Sequence, residues 1–205
     1  MNGRTPAEDF LHRYPQILLI AVNVIAFILG LIFPDWYNRG MVSAQAVFDR
    51  KEYYRVLTYM FLHAGLRHLV MNMLFLFFIA SLNMSLQERW RFWLVYFSSG
   101  ILGGYFTVLV RHFTGSAIWS VGASGAVMGV LGSTLALFLR QRGRIPEALR
   151  KSYLVRIGVL ALLNLIPSGG STDYLGHLFG FLTGFLVTFL LGDRNDGEDA
   201  FVLPF

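Results

Sequence analysis

The feature that most constrains this chain is a set of six apolar runs, most of them about as long as a bilayer's hydrocarbon core is thick. Hydrocarbon offers no partner for an unpaired backbone N–H or C=O, so runs of this kind have to be helical. They cover about Pro15–Phe33, His63–Ser85, Arg91–Val110, Ile118–Leu139, Lys151–Ile166 and Tyr174–Leu191. Composition agrees: 55% of the 205 residues are hydrophobic and 14% charged, against roughly a quarter charged in an ordinary soluble domain. The mean hydropathy is +0.55.

The expected architecture is all-α, with six transmembrane helices and an interfacial first loop. It divides into an N-terminal segment, 1–14, a six-helix domain, 15–192, and a short acidic tail, 193–205, expected to be disordered. The first run follows a polar stretch, is longer than a signal-peptide core and ends at Phe33-Pro34-Asp35 without a small-x-small cleavage site, so it reads as a retained anchor. The connection from Asp35 to Leu62 mixes Trp36, Tyr37, Phe48, Tyr53 and Tyr54 with charges, as a segment lying in the membrane interface does.

The net charge is +5, and the densest basic stretch is Arg140, Arg142, Arg144, Arg150 and Lys151, between two apolar runs. There it acts as a topology signal or a contact to anionic lipid rather than a nucleic-acid surface. With six spans both termini lie on one side, and this basic loop favours placing them in the cytoplasm. Cysteine is absent, which excludes disulfides, Cys-containing metal sites and thiol chemistry.

Three short segments bring chemistry into the apolar background. The fourth run contains Val121-Gly122-Ala123-Ser124-Gly125-Ala126, with Gly129 and Gly132 following at helical spacing. Such a stripe is a packing face for another helix, and serine is common on packing faces; Ser124 is also a candidate nucleophile. The sixth run contains Gly176-His177, with Gly180 and Gly184 in line below. A histidine in a membrane helix faces the bundle interior or water, either as an interhelical hydrogen-bond partner or as a functional base. Two glycine-rich helices can approach backbone to backbone, and Ser124 and His177 both stand near the start of spans that run in the same direction. Proton transfer between them needs a separation of about 3 Å, which such close packing permits. The second run opens at the same membrane face with His63, His68 and Asn72. His68 and Asn72 share one helical face and can both donate N–H groups to an oxyanion, joined by the Ser124 backbone N–H if a helix begins near it. Alternatively, these polar groups simply sit at the headgroup boundary.

The combination of H-x4-H-x3-N, G-A-S-G-A and G-H-x2-G-x3-G, in this order on these spans, resembles the rhomboid family across about Pro15–Leu191. The resemblance implies a rhomboid-like bundle and an intramembrane serine endopeptidase cleaving transmembrane segments of membrane proteins. By that resemblance Ser124 is the nucleophile and His177 its base. His68, Asn72 and the Ser124 N–H form the oxyanion site, with His63, Gly122 and Gly125 in support. It also implies no third acidic member, so Asp173 takes no catalytic role. No metal, no cofactor and no nucleic acid partner is called for; the partners are transmembrane substrates and the lipid bilayer. The family pattern makes the fifth helix and the loop 168–173 a lateral gate and cap, and the short termini suggest a minimal bacterial form in the inner membrane, its site toward the outer face. Two positions depart from it: Tyr54-Arg55 stands where many members have Trp-Arg, and Met128 where an aromatic residue often packs on the histidine.

Two other readings stay open. An inactive relative that binds transmembrane helices would be expected to have lost Ser124 or His177. A transporter using the histidines as relays would be expected to carry an intramembrane carboxylate beside them. The base-activated nucleophile yields one expectation at once: chelators leave activity intact, and loss on chelation restored by zinc would instead make the histidines metal ligands.

Overall fold

The structure is a computed structural model and describes residues 14–143, 145–164 and 172–192. Helix α1 is Gln16–Ile32, α2 Pro34–Gly40, α3 Arg55–Thr58, α4 Leu66–Met84, α5 Arg89–Thr114, α6 Ser124–Gln141, α7 Glu147–Asn164 and α8 Tyr174–Leu191. A π-helical turn, Gln45–Asp49, and a 3-10 turn, Tyr59–Phe61, lie in the connection between α2 and α4. The only extended pairing among the described residues is an isolated antiparallel bridge between Val42 and Ser120. The two terminal segments, Arg144 and most of the loop assigned to the cap (168–171) lie outside the described residues.

Helix α6 is the centre of the bundle. Nearly every residue from Gly125 to Phe138 is buried, and it packs most extensively on α8 and then on α5 and α4. The glycines explain how. A methyl group at Gly180 would collide with the Gly125 carbonyl, one at Gly184 with the Gly129 carbonyl, and one at Gly132 with the Phe181 carbonyl. On the third side, a Cβ at Gly103 of α5 would lie 3.0 Å from the Gly180 nitrogen. Between membrane helices water expulsion drives little, so close van der Waals contact of this kind carries the association.

Deeper in the bundle, side-chain hydrogen bonds add to it. Asn83 of α4 donates to Ser133 Oγ (3.0 Å) and Thr134 Oγ1 (3.1 Å) of α6, and Thr188 of α8 donates to Ser133 Oγ (2.7 Å). This network lies nine residues, roughly 14 Å, along α6 from Ser124.

The outer helices turn apolar stripes outward. On α1, Leu18, Val22, Ile25, Leu29 and Ile32 are exposed at alternating steps of four and three; on α8, Leu178, Leu182, Leu186 and Phe189 are exposed at steps of four, four and three. Continuous exposed apolar faces of this length suit lipid rather than water. Among the described residues, α4, α5 and α8 are long and apolar enough to cross a bilayer, and α1 is apolar but shorter. Helix α6 is diluted by Gly, Ser and Thr, which serve packing inside protein. Helix α7 carries Glu147, Arg150, Lys151 and Arg156.

Two expectations from the sequence need adjustment. The fourth apolar run was placed at Ile118–Leu139, but its helix begins only at Ser124. Ser120 is held in the bridge to Val42, and Gly122 has φ +128°, a conformation that interrupts a helix. The connection after α1 is more than an amphipathic segment: Val42, Ala46, Val47, Tyr59, Met60 and Leu62 are buried beneath exposed Trp36, Tyr53 and Tyr54.

The packing argument makes a prediction. Gly184→Val forces α8 off α6 and is expected to lower stability by about 1–3 kcal/mol or more. Gly158→Ala, where an added Cβ meets nothing within 4 Å, is expected to be neutral or slightly stabilising. Thermal unfolding of both variants in one detergent checks the contrast.

Candidate active site

Ser124 is the first residue of α6, so its N–H has no acceptor within the helix and lies at the positive end of the helix dipole. The chain reaches it through a fixed path. Ser120 exchanges backbone hydrogen bonds with Val42 (3.1 and 2.8 Å), and the Gly122 N–H donates to the Tyr59 carbonyl at 2.9 Å. Gly122 is required here twice over. Its φ is +128°, and a Cβ would come within 2.8 Å of His68 Cε1 and 3.0 Å of His68 Nε2. The same point is 3.7 Å from Ser124 Oγ, so the His68 ring edge and the Ser124 hydroxyl flank one small space over Gly122.

His68 sits in the first turn of α4, and its Nδ1 accepts a long hydrogen bond from the Ala64 N–H (3.4 Å). An Nδ1 that accepts carries no proton, so the neutral ring has its proton on Nε2, the nitrogen beside Gly122. His63, 2% exposed, packs edge-on against His68 with ring centroids 5.1 Å apart. Asn72 is buried one turn further along α4; its Nδ2 donates to the His68 carbonyl (2.9 Å) and its Oδ1 has no partner. It therefore lies under two turns into the helix.

His177 is the fourth residue of α8 and is buried; its backbone N–H donates to the Asp173 carbonyl (3.0 Å). The glycine contacts bring this turn against α6, since a Cβ on Gly125 would lie 3.3 Å from the Gly176 carbonyl oxygen. Ser124 and His177 thus occupy adjoining turns of two helices in backbone contact. The His177 Nδ1 has no hydrogen-bond partner among the described residues. The Asp173 carboxylate is engaged elsewhere, with Arg111, Ser120 and the Gly176 N–H. Met128, one turn after Ser124, is buried in the core.

Three features were not anticipated from sequence. The first is that link among Arg111, Ser120 and Asp173. Signals for it existed: a charged residue near the end of an apolar run, and an Asp directly before a helix. The second is Tyr59, buried beneath the site, whose hydroxyl donates to the Gly100 carbonyl (2.7 Å). Burial pushes its phenol far above the usual range, with the Asp173 charge adding to the shift. The third bears on Tyr54-Arg55. Arg55 is buried and donates to the carbonyls of Asn38 (3.0 Å) and Met41 (2.8 Å) and to Glu52 (2.7 Å). Trp119, from the segment before Ser124, lies beneath the guanidinium groups of Arg55 and Arg50 at 5.6 and 5.5 Å. An aromatic partner for the arginine thus comes from the neighbouring loop as well as from Tyr54.

Electrostatics around Glu52 follow from these contacts: hydrogen bonds from Arg55 first and Arg50 second hold its carboxyl below the ordinary range. Among the described residues, no group of three or more His, Asp or Glu side chains is arranged to hold a metal ion.

A membrane-type helical bundle with a serine and a histidine on adjoining glycine-packed helices defines a class: polytopic membrane proteins with polar side chains held inside the bundle. The chain belongs to the rhomboid family, whose domain model matches residues 50–194. It is 36% identical over 180 residues to "Rhomboid-like protease 3" of Toxoplasma gondii, covering 82% of this chain and 65% of that one. It is 32% identical over 200 residues to YdcA of Bacillus subtilis, covering 92% and 94%. With "Rhomboid protease GluP" of Bacillus subtilis it shares 30% over 202 residues, 92% of this chain but 37% of the relative. Family membership and the apolar helices make this an integral membrane protein.

The Arg55 contacts generate a prediction. Arg55→Ala strands buried carbonyls and is expected to cost about 1–3 kcal/mol, whereas Glu52→Gln, at the exposed edge, is expected to change stability far less. Melting temperatures of the two purified variants check the order.

Proposed function

We propose that this protein is an intramembrane serine endopeptidase that cleaves transmembrane segments of membrane proteins, with Ser124 as nucleophile and His177 as base. The observation that carries the reading is that α6 begins at Ser124 and lies in backbone contact with the α8 turn that bears His177. The names of the relatives favour a protease over an inactive binder of transmembrane helices, and both reactive residues are kept.

In this reading His177 takes the proton of the Ser124 hydroxyl as Oγ attacks the substrate's peptide carbonyl carbon. The developing oxyanion is stabilised by the Ser124 N–H, by His68 Nε2–H and by the amide of Asn72. The tetrahedral intermediate collapses with the proton passing from His177 to the leaving amine, which leaves an acyl-enzyme on Ser124. Water, deprotonated by His177, attacks the ester, and the proton returns to Ser124 as the acid product departs. The unpartnered His177 Nδ1 and the engaged Asp173 favour a dyad over a triad. His63 supports His68 by ring packing, Gly122 lets the oxyanion space exist, and Gly125 lets α8 approach.

The same reading takes residues 15–192 as a six-span domain, with α1, α6 and α7 crossing the bilayer alongside α4, α5 and α8. Both termini lie in the cytoplasm, the cell is bacterial, and the site faces outward. Protease protection of tags at each terminus in sealed vesicles tests this orientation.

The catalytic assignment is tested on a transmembrane reporter. Ser124→Ala and His177→Ala are each expected to abolish cleavage in folded protein, and the double variant to be no worse than either single one. Retained turnover by Ser124→Ala removes the assignment. For Asn72→Ala, loss of an oxyanion donor is expected to lower kcat by ~10²–10³, against a stability change of about 0.5–1.5 kcal/mol for its bond to the His68 carbonyl alone. A fall in kcat no larger than the loss of folded protein removes Asn72 from the oxyanion site.

A further inference from the structure

At the mouth of the bundle one buried cation joins the segments that lead into the two reactive residues. Arg111, 6% exposed near the end of α5, donates from Nη1 to Ser120 Oγ at 2.6 Å and pairs from Nη2 with Asp173 Oδ1 at 3.0 Å. Ser120 in turn donates its hydroxyl proton to Asp173 Oδ2 at 2.6 Å. Asp173 Oδ1 also accepts from the Gly176 N–H at 3.0 Å, capping α8, and its carbonyl accepts from the His177 N–H at 3.0 Å.

The spacing gives this closed set of bonds its meaning. Ser120 stands four residues before Ser124, and Asp173 four residues before His177. Ser120 cannot shift independently, because its backbone is paired with Val42. The planar guanidinium, with two nitrogens directed at two partners, fixes direction as well as distance. The glycine stripes let α6 and α8 approach, but a smooth glycine face resists sliding along the helix axis only weakly. A charged lock at the helix starts supplies what the stripes lack.

We propose that Arg111, Ser120 and Asp173 are positioning residues that set the register of α8 against the start of α6, and hence the distance between His177 and Ser124. Asp173 acts through the position of α8 and not as a third catalytic acid: both its oxygens are engaged and His177 Nδ1 donates nothing to it. The inference rests on the Ser124–His177 reading, because register matters to rate only if these two residues react together.

The test uses the full chain in lipid nanodiscs, with two readouts per folded molecule: the second-order rate of labelling by a fluorophosphonate, and kcat and KM on a transmembrane reporter. Asp173→Asn is the decisive variant, since asparagine still caps α8 through its side-chain oxygen but loses the charge that holds Arg111. A displacement of about 1 Å costs on the order of 10²-fold in rate. The labelling rate and kcat are therefore expected to fall about ten- to a hundredfold, with KM within about threefold. The double variant Arg111→Ala, Asp173→Ala is expected to be no slower than the slower single variant, as members of one unit are. Labelling within about twofold of wild type in folded Asp173→Asn overturns the proposal, as does a double variant whose losses multiply.

If Asp173→Asn does not fold, Ser120→Ala decides. It removes one hydroxyl from the lock and is expected to slow labelling several-fold, and an unchanged rate overturns the proposal. Failure of the underlying reading looks different: the wild type would not label, or His177→Ala would label as fast as wild type.

Discussion

The contact on which everything else depends is that of α6 and α8, made by backbone atoms with no side chain between. Gly125, Gly129 and Gly132 on one helix meet Gly180, the Phe181 carbonyl and Gly184 on the other, so near that a methyl group at Gly132, Gly180 or Gly184 would collide with the facing carbonyl. In a bilayer the hydrophobic effect supplies little force between helices, so such a contact has to be built from close packing. A side chain as short as serine needs closeness of this kind to reach a histidine on another helix. The meeting of the turns that bear Ser124 and His177 is a consequence of the packing, and the packing is a consequence of where glycine recurs.

Two sets of polar groups in this bundle answer one another across helices. Asn83, Ser133, Thr134 and Thr188 close a network toward the far end of α6, and Arg111, Ser120 and Asp173 close another at the mouth. Between them the helices meet on glycine. At the candidate site the Asn72 Oδ1 and the His177 Nδ1 are buried without a partner among the described residues, as are Gln16 Oε1, Asn23 Oδ1 and Gln87 Oε1 elsewhere in the bundle.

The sequence made the helical class legible because the apolar runs admit few other solutions, and it made the chemistry legible because three short motifs fall on three different runs. Legibility failed where hydropathy and backbone geometry disagree. Ile118–Val121 reads as part of an apolar span, yet Ser120 pairs with Val42 and Gly122 takes a positive φ, so the helix starts at Ser124 itself. That start is what leaves the Ser124 N–H free of an intrahelical partner. Nothing in a linear sequence says that Arg111, near the end of one helix, faces the cap of another 62 positions on. Nor does the Tyr54-Arg55 pair in the sequence say that Trp119, from a distant loop, lies against the same guanidinium.

The central claim is that helix packing turns Ser124 into a nucleophile served by His177. The most direct measurement is mass-spectrometric mapping of the adduct formed when the bilayer-embedded protein reacts with a fluorophosphonate, compared between wild type and His177→Ala. The account predicts a single phosphonylated residue, Ser124, in the wild type and no adduct above background without His177. Modification at another serine, or equal modification of Ser124 in both proteins, would contradict it.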